Sequence, residues 1–409
     1  MKNVFIGIVF LIGSIVGAWS ATFVSEELVY KIPSEYLSFG RAREIQAGAK
    51  IYSGERPQNG KVLYITGGSA GYASVNEHSL EEKLTDRLGV PVTVHVIATA
   101  SQSVVESFAM VEKFPKNPLE EQAYVLMTWS GHRVSSDPDR TLNLSLQRKR
   151  ILLRYDATRD LILNGGLLNE SFMSNSEGAI TDPKKYIAAI DKEFTASVAS
   201  HWMKSFLHDK LKKLNRKRVP KNIFLQPDVF LKTEYGAARQ KRVKRAYKNP
   251  KVRARYERNH KRYHDILLRN VSKLKPDTAR HSKDFALYFI EQSKLMADKK
   301  KYTFGTLELP LNTVVHNDTV INKHRTAFSE ELQALSRQKD FSNYYLVDEI
   351  AELGPFENWY DSGHMSPVGR KVYEKYYLDA LVKFMTNGSD GVYGIEPGPE
   401  PIQPETLPE

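Results

Sequence analysis

The residues best placed to do chemistry are a serine in a glycine-rich turn and an Asp/His pair far downstream. Thr66-Gly67-Gly68-Ser69-Ala70-Gly71-Tyr72 follows a short apolar run and precedes a helical pattern. A serine on a tight strand-to-helix turn presents its hydroxyl at the carboxyl edge of a parallel sheet, where open α/β folds bind ligands. Alone, such a turn is equally a structural bend or a phosphate cradle of backbone N–H groups. The second feature is Trp359-Tyr360-Asp361-Ser362-Gly363-His364-Met365-Ser366-Pro367-Val368-Gly369, where Asp361 precedes His364 by three positions. A serine needs an adjacent base to become nucleophilic, and an imidazole needs a carboxylate to set its tautomer and stabilise its protonated form. The chain contains no cysteine, which excludes thiol catalysis, cysteine-ligated zinc, iron–sulfur clusters and disulfides. His260 and His264 have the i, i+4 spacing of a helical metal pair, but they lie among Arg and Lys without an acidic partner nearby. No metal and no cofactor are expected.

Both features need elements that bring them to one place. Val62 to Ile65, Val92 to Ala98 and Tyr124 to Trp129 are continuous apolar runs, as in a parallel sheet buried on both faces. Glu77 to Leu88 and Ser103 to Phe114 read as the intervening helices. Thr303 to Leu309 and Tyr344 to Val347 are two further strands, preceded by helical patterns over Lys283 to Ala297 and His324 to Arg337. Five strands with helical crossovers predict an α/β fold, a three-layer α/β/α parallel sheet. Ser366 as N-cap and Pro367 as first helical residue start a last helix, with Val368, Val372, Tyr376 and Leu381 at helical spacing. Asp361 and His364 thus occupy the loop after strand five, at the same sheet edge as Ser69.

The gap from Arg133 to about Lys301 is too long for a loop, and residues 134–300 are expected to form a helical insertion. The two parts of the sheet domain are then residues 60–133 and 301–387. From Gly388 to Glu409 the chain is rich in Gly, Pro and Glu, and a disordered tail is expected. Basicity is local: Lys210 to Arg262 contains 20 Lys/Arg against Asp228, Glu234 and Glu257, a window of +17 in a chain of net charge +11. Such a run is either a solvated face or a polyanion surface, with Lys241, Arg242, Lys244 and Arg245 its densest part. At the amino terminus, Val4 to Val24 is apolar and long enough to span a bilayer; Lys2 ahead and Glu26 and Glu27 behind place the remainder outside the cytoplasm. The alternative is a signal peptide cleaved after Ala18 or Ser20. A linker over residues 26–59 would join this segment to the sheet domain.

Gly-Gly-Ser69 after the first strand, with Asp361-x-x-His364 before a terminal helix, resembles the SGNH/GDSL hydrolase superfamily. The resemblance covers Lys61 to Arg133 and Thr303 to Phe384 and misses the insertion. It implies a flavodoxin-like sheet, with Ser69 as nucleophile, His364 as general base and Asp361 as its orienting partner. The second block of the superfamily supplies a backbone donor to the oxyanion hole, and Ser101 is the best match. The third block, Gly-x-Asn, stands here as Gly131-His132-Arg133, lacking the amide donor, so His132 or Arg133 is the candidate substitute. The anchor, the insertion, Leu309-Pro310-Leu311-Asn312 and Asp-x-x-His-Met-Ser-x-x-Gly are also similar to the D-alanyl transfer proteins of teichoic acid modification. Similar anchored domains occur in alginate O-acetylation. These groups work beside membrane-bound O-acyltransferases.

The expected function is a membrane-anchored serine acyl-esterase or O-acyltransferase acting on an envelope glycopolymer or lipid ester. The alternative is a binding or assembly protein that holds an anionic envelope polymer, with its catalysis lost through the altered third block. Nucleic acid fits poorly with the predicted export.

Overall fold

The computed structural model describes residues 47–51, 59–99, 102–118, 122–131, 248–272, 276–312, 318–354, 358–359, 363–387 and 392–395, together with isolated positions at 57, 157–158, 160 and 188. The chain order is β1 (Lys61–Thr66), α1 (Ser69–Ser74), α2 (Glu77–Leu88), β2 (Val92–Val96), α3 (Val104–Lys113), β3 (Ala123–Trp129), α4 (Pro250–Ser272), α5 (Pro276–Lys299), β4 (Thr303–Glu308), α6 (Thr319–Lys339), β5 (Ser342–Leu346), α7 (Pro367–Asn387) and β6 (Val392–Ile395). The strands form one sheet in the order β2-β1-β3-β4-β5-β6, with every pairing parallel.

The apolar runs of β1 and β3 are continuous because these strands are covered on both faces. Alternate residues of β1 and β3 enter two separate cores. Leu63, Ile65, Tyr124 and Leu126 pack with Leu80 and Leu84 of α2 and Tyr373, Tyr377, Leu381 and Phe384 of α7. Val62, Tyr64, Val125 and Met127 pack on the other face with Met110 of α3, Ile290 of α5 and Phe328 and Leu332 of α6. The sheet is the middle of three layers. Among the described residues no helix is long and apolar enough to cross a membrane; Val4 to Val24 lies outside them.

Helix boundaries follow local capping chemistry. The Asn76 side chain accepts from the Ser79 N–H at 3.2 Å to open α2, and Gly89 closes it at φ 67°. Ser103 and Glu106 form a reciprocal capping box at the start of α3.

Three expectations need correction. The sheet has six strands, not five: Val392–Ile395 pairs with β5 inside the stretch expected to be a disordered tail, and the Tyr393 ring stacks on Tyr344 at 5.3 Å. Parallel pairing on one edge, the buried Ile395 and the contacts of the Tyr393 ring with Tyr344 and Lys383 hold a strand that Gly- and Pro-rich flanks conceal. The insertion ends earlier than residue 300, because α5 is the crossover helix between β3 and β4. Its Phe285, Ala286, Phe289, Ile290 and Ala297 are buried, and it packs on α3 and β4. Finally, His264 of α4 does have an acidic partner, since its Nε2 lies 3.0 Å from Asp318 Oδ2, contributed by a remote segment.

Candidate active site

The strand order reverses beside β1: the chain goes from β1 outward to β2, then returns across β1 to β3. Loops at the carboxyl ends of strands flanking such a reversal form a crevice, because the connections leave in opposite directions. Ser69 emerges there, as the first residue of α1.

The turn that presents it requires glycine. Gly67 has φ +152°, and a Cβ there would lie 2.0 Å from Thr128 Oγ1. The Thr128 hydroxyl donates to Thr66 O at 2.9 Å, which draws β3 against the turn. The Thr99 N–H donates to Gly67 O at 3.2 Å, fixing the loop after β2 to the same residue. Gln102 locks that loop further: its amide nitrogen donates to Thr66 Oγ1 at 2.8 Å and Ser107 Oγ at 2.9 Å, while its carbonyl accepts from Thr99 N at 2.8 Å. Ser69 is therefore held by β1, β3 and the β2 loop together, and it is 8% exposed. Its N–H opens a helix, where the first amides have no intrahelical partner and point toward approaching negative charge.

His364 is positioned by a second set of contacts. Trp359 and Met365 form an isolated antiparallel bridge that closes the loop carrying the histidine. Trp359 is fully buried and its indole N–H donates to Leu353 O at 2.6 Å. The Ser366 N–H donates to Asn358 O at 2.8 Å, and Ser366 Oγ accepts from Val368 N and Gly369 N at 3.1 and 3.3 Å. A Cβ on Gly369 would lie 2.1 Å from Asn358 O, so only glycine lets α7 begin so close to the loop. The result is that His364 Nε2 lies 2.8 Å from Ser69 Oγ, across 295 residues of chain. With the imidazole proton on Nδ1, the serine hydroxyl donates to Nε2, the arrangement of a nucleophile and its base.

Several positioning residues were not foreseen. Arg370, one turn into α7, donates from Nε to Ala73 O at 3.1 Å and so ties the histidine-bearing helix to the last turn of α1. Behind β4, Arg325 Nε donates to Glu308 Oε1 at 2.5 Å, its other nitrogen donates to Leu346 O at 2.7 Å, and the Leu346 N–H donates to Glu308 Oε2 at 2.9 Å. Burial pushes the Glu308 carboxyl upward while the Arg325 guanidinium opposes it. Tyr373 of α7 donates to Glu308 O at 2.6 Å. A Cβ on Gly131, the glycine of the altered third block, would meet the Arg325 side chain at 3.0 Å. An Arg among surface-type residues carries no sign in the sequence that it will be buried; the only cue at Arg370 is its place one turn after the Ser366 cap.

Of the residues singled out in the sequence, Ser69 and His364 are brought together. Asp361, Ser101, His132 and Arg133 lie outside the described residues, as do Lys241, Arg242, Lys244 and Arg245. The end of the basic window is described: Lys251, Arg253, Arg258, Lys261 and Arg262 are exposed on α4. Among the described residues no group of three or more His, Asp or Glu is gathered as a metal site. No family model matches the chain, and a search of curated proteins finds no match.

Proposed function

We propose that this chain is a serine acyl-esterase or O-acyltransferase of the SGNH type, acting on ester groups of a cell-envelope glycopolymer or lipid. The observation that carries the reading is the 2.8 Å approach of His364 Nε2 to Ser69 Oγ at the carboxyl edge of a parallel sheet. The strand order 2-1-3-4-5, extended by β6, supports a flavodoxin-like sheet, as the resemblance implies.

In this reading Ser69 Oγ attacks the ester carbonyl carbon as its proton passes to His364 Nε2. The tetrahedral intermediate collapses when His364 returns that proton to the leaving alkoxide oxygen, leaving the acyl group on Ser69. A water or a sugar hydroxyl then gives its proton to His364 and attacks the acyl carbon, and the second tetrahedral intermediate breaks its bond to Ser69 Oγ, which takes that proton back from His364. The first acceptor yields a carboxylic acid, the second a new ester. Asp361 orients the imidazole. The Ser69 N–H supplies one oxyanion donor, and Ser101, His132 and Arg133 are the candidates for the others. Val4 to Val24 would hold this domain outside the cytoplasm, beside a membrane-bound O-acyltransferase in the transferase case.

The test is labelling of the full-length protein with a fluorophosphonate, alongside hydrolysis of a p-nitrophenyl ester. Labelling confined to Ser69 and lost in Ser69→Ala supports the reading. Wild-type turnover in Ser69→Ala, or no labelling of a folded wild-type protein, overturns it in favour of a binding or assembly role.

A further inference from the structure

We infer that the outer edge of β2 is closed to strand addition by side chains of α2, and that the partner it excludes is a second copy of this chain. β2 ends the sheet, with β1 as its neighbour in the strand order. Pairing with β1 uses the odd-numbered residues of this stretch: Lys61 N donates to Pro91 O at 2.8 Å and Ile97 N donates to Ile65 O at 2.8 Å. Alternation along the strand then turns the amides of Val92, Val94 and Val96 outward. An open row of that kind is a template for another strand. The sequence sharpens the hazard, since Val92-Thr93-Val94-His95-Val96-Ile97-Ala98 is rich in β-branched residues and contains no proline and no Asp, Glu, Lys or Arg.

All three outward amides are taken. Val92 N donates to Thr85 Oγ1 at 3.0 Å, Val94 N to Glu81 Oε2 at 3.1 Å and Val96 N to Glu77 Oε1 at 3.2 Å. The acceptors stand at i, i+4 and i+8 on α2, a single stripe of the helix. Four helical residues advance about 6.0 Å and two strand residues about 6.6 Å, so a helix running antiparallel to the strand that follows it meets every second amide with every fourth side chain. The short threonine serves the amide nearest the Gly89 turn, and the longer glutamates serve the two beyond it.

Lys50 extends the cover to a carbonyl. Its ammonium lies 2.6 Å from Glu77 Oε2 and 3.4 Å from Val96 O. Ala47 and Ile51, on either side of it in the chain, are buried in the core, which holds the lysine against the edge. The polar stripe is not needed to fasten α2, because the buried Leu80 and Leu84 already pack that helix on the sheet. Its acceptors match the outward amides one for one, which is what closing the edge requires. A second copy is the partner excluded, because an edge strand pairs antiparallel with its own two-fold image without any further complementarity.

The experiment uses full-length protein in nonionic detergent and two variants. Glu77→Ala/Glu81→Ala/Thr85→Ala removes the three acceptors while keeping good helix formers; Glu77→Gln/Glu81→Gln keeps an acceptor oxygen at each glutamate position. At low protein concentration, hydrogen exchange in the peptide containing Val92, Val94 and Val96 should be about tenfold faster in the alanine variant than in wild type, as each amide loses its hydrogen bond. As concentration rises, light scattering should show that variant gaining mass over wild type, with the same amides regaining protection as a second copy pairs there. The glutamine variant should match wild type in both measurements. Unchanged exchange in a folded alanine variant overturns the closed edge. Fast exchange without added mass, or added mass without renewed protection of Val92–Val96, overturns the second copy as the excluded partner. Association of the glutamine variant also overturns it, because charge repulsion and not occupied amides would then keep the copies apart. If the triple variant does not fold, Glu81→Ala, which frees the Val94 amide alone, is read by the same two measurements.

Discussion

An imidazole placed 2.8 Å from a serine hydroxyl does little unless both act in one step. In an acyl-transfer mechanism the serine oxygen gains its nucleophilicity as the proton leaves for Nε2, so loss of either partner removes the same event. Ser69→Ala and His364→Ala should each lower kcat on an activated ester by about 10⁴-fold or more, and the double variant should be scarcely worse than either. Single-turnover kinetics on purified variants measure this; losses that multiply would mean that the two residues act separately. Asp361→Asn should be milder, because the base survives with a poorly set tautomer. Arg133→Ala should lower kcat by about 10²-fold with little change in KM if Arg133 supplies the missing oxyanion donor. At this scale the sequence was informative where chemistry restricts residue type: Gly-Gly-Ser69 and His364 stand out because few residues serve their purposes. Thr128, Gln102 and Arg370 carry no such mark, since hydroxyls, amides and guanidinia serve equally well on a surface.

Elements deliver these residues to one another, and two contacts test how. Gly67 combines a φ of +152° with a Cβ position 2.0 Å from Thr128 Oγ1, so Gly67→Ala should cost about 2–4 kcal/mol in denaturant unfolding. Thr128→Ala removes the clashing oxygen along with its hydrogen bond to Thr66 O, so the double variant should lose less than the sum of the two singles. Additive losses would place the cost of Gly67→Ala elsewhere. Arg370 couples α7 to α1 through Ala73 O. Arg370→Gln should lower kcat about tenfold, roughly 1.4 kcal/mol at the transition state, with little change in KM, because it lets Ser69 and His364 drift apart. Arg370→Lys should restore part of that loss by keeping a donor near the carbonyl; equal effects on kcat and KM would argue against a positioning role. Element boundaries were legible where a cap is local. Asn76 and Gly89 define α2 over Glu77–Leu88, as the sequence predicts. They were not legible for β6, which has no cap and is held by pairing with β5.

Over the whole molecule, alternation along β1 and β3 into two cores is what makes the parallel sheet readable from apolar runs. The misplaced end of the insertion has a matching cause. A crossover helix shows only one buried stripe, so the helical pattern over Lys283 to Ala297 is legible while its place in the sheet domain is not, until Ile290 and Ala297 are seen in the core against the sheet. The far half of the sheet depends on a charged pair that no periodicity reveals. Glu308 and Arg325 join β4, α6 and β5, and Tyr373 adds α7 through the Glu308 carbonyl. Glu308→Gln leaves a guanidinium buried without its carboxylate and should cost about 3–5 kcal/mol, while Glu308→Gln/Arg325→Met should recover part of that loss. Arg325→Met behaves differently, because its orphan is a carboxyl that can take a proton. Burial already raises the Glu308 pKa, and removing the cation that opposes this raises it further. A carboxyl whose folded pKa lies above its unfolded value of about 4.3 binds more protons in the folded state, so stability falls as pH rises from the unfolded pKa through the folded one. The deficit of Arg325→Met relative to wild type should therefore be smallest near pH 5 and widen toward pH 8 in paired thermal melts. A deficit that grows on acidification would mean that the carboxylate finds another cation when Arg325 is gone.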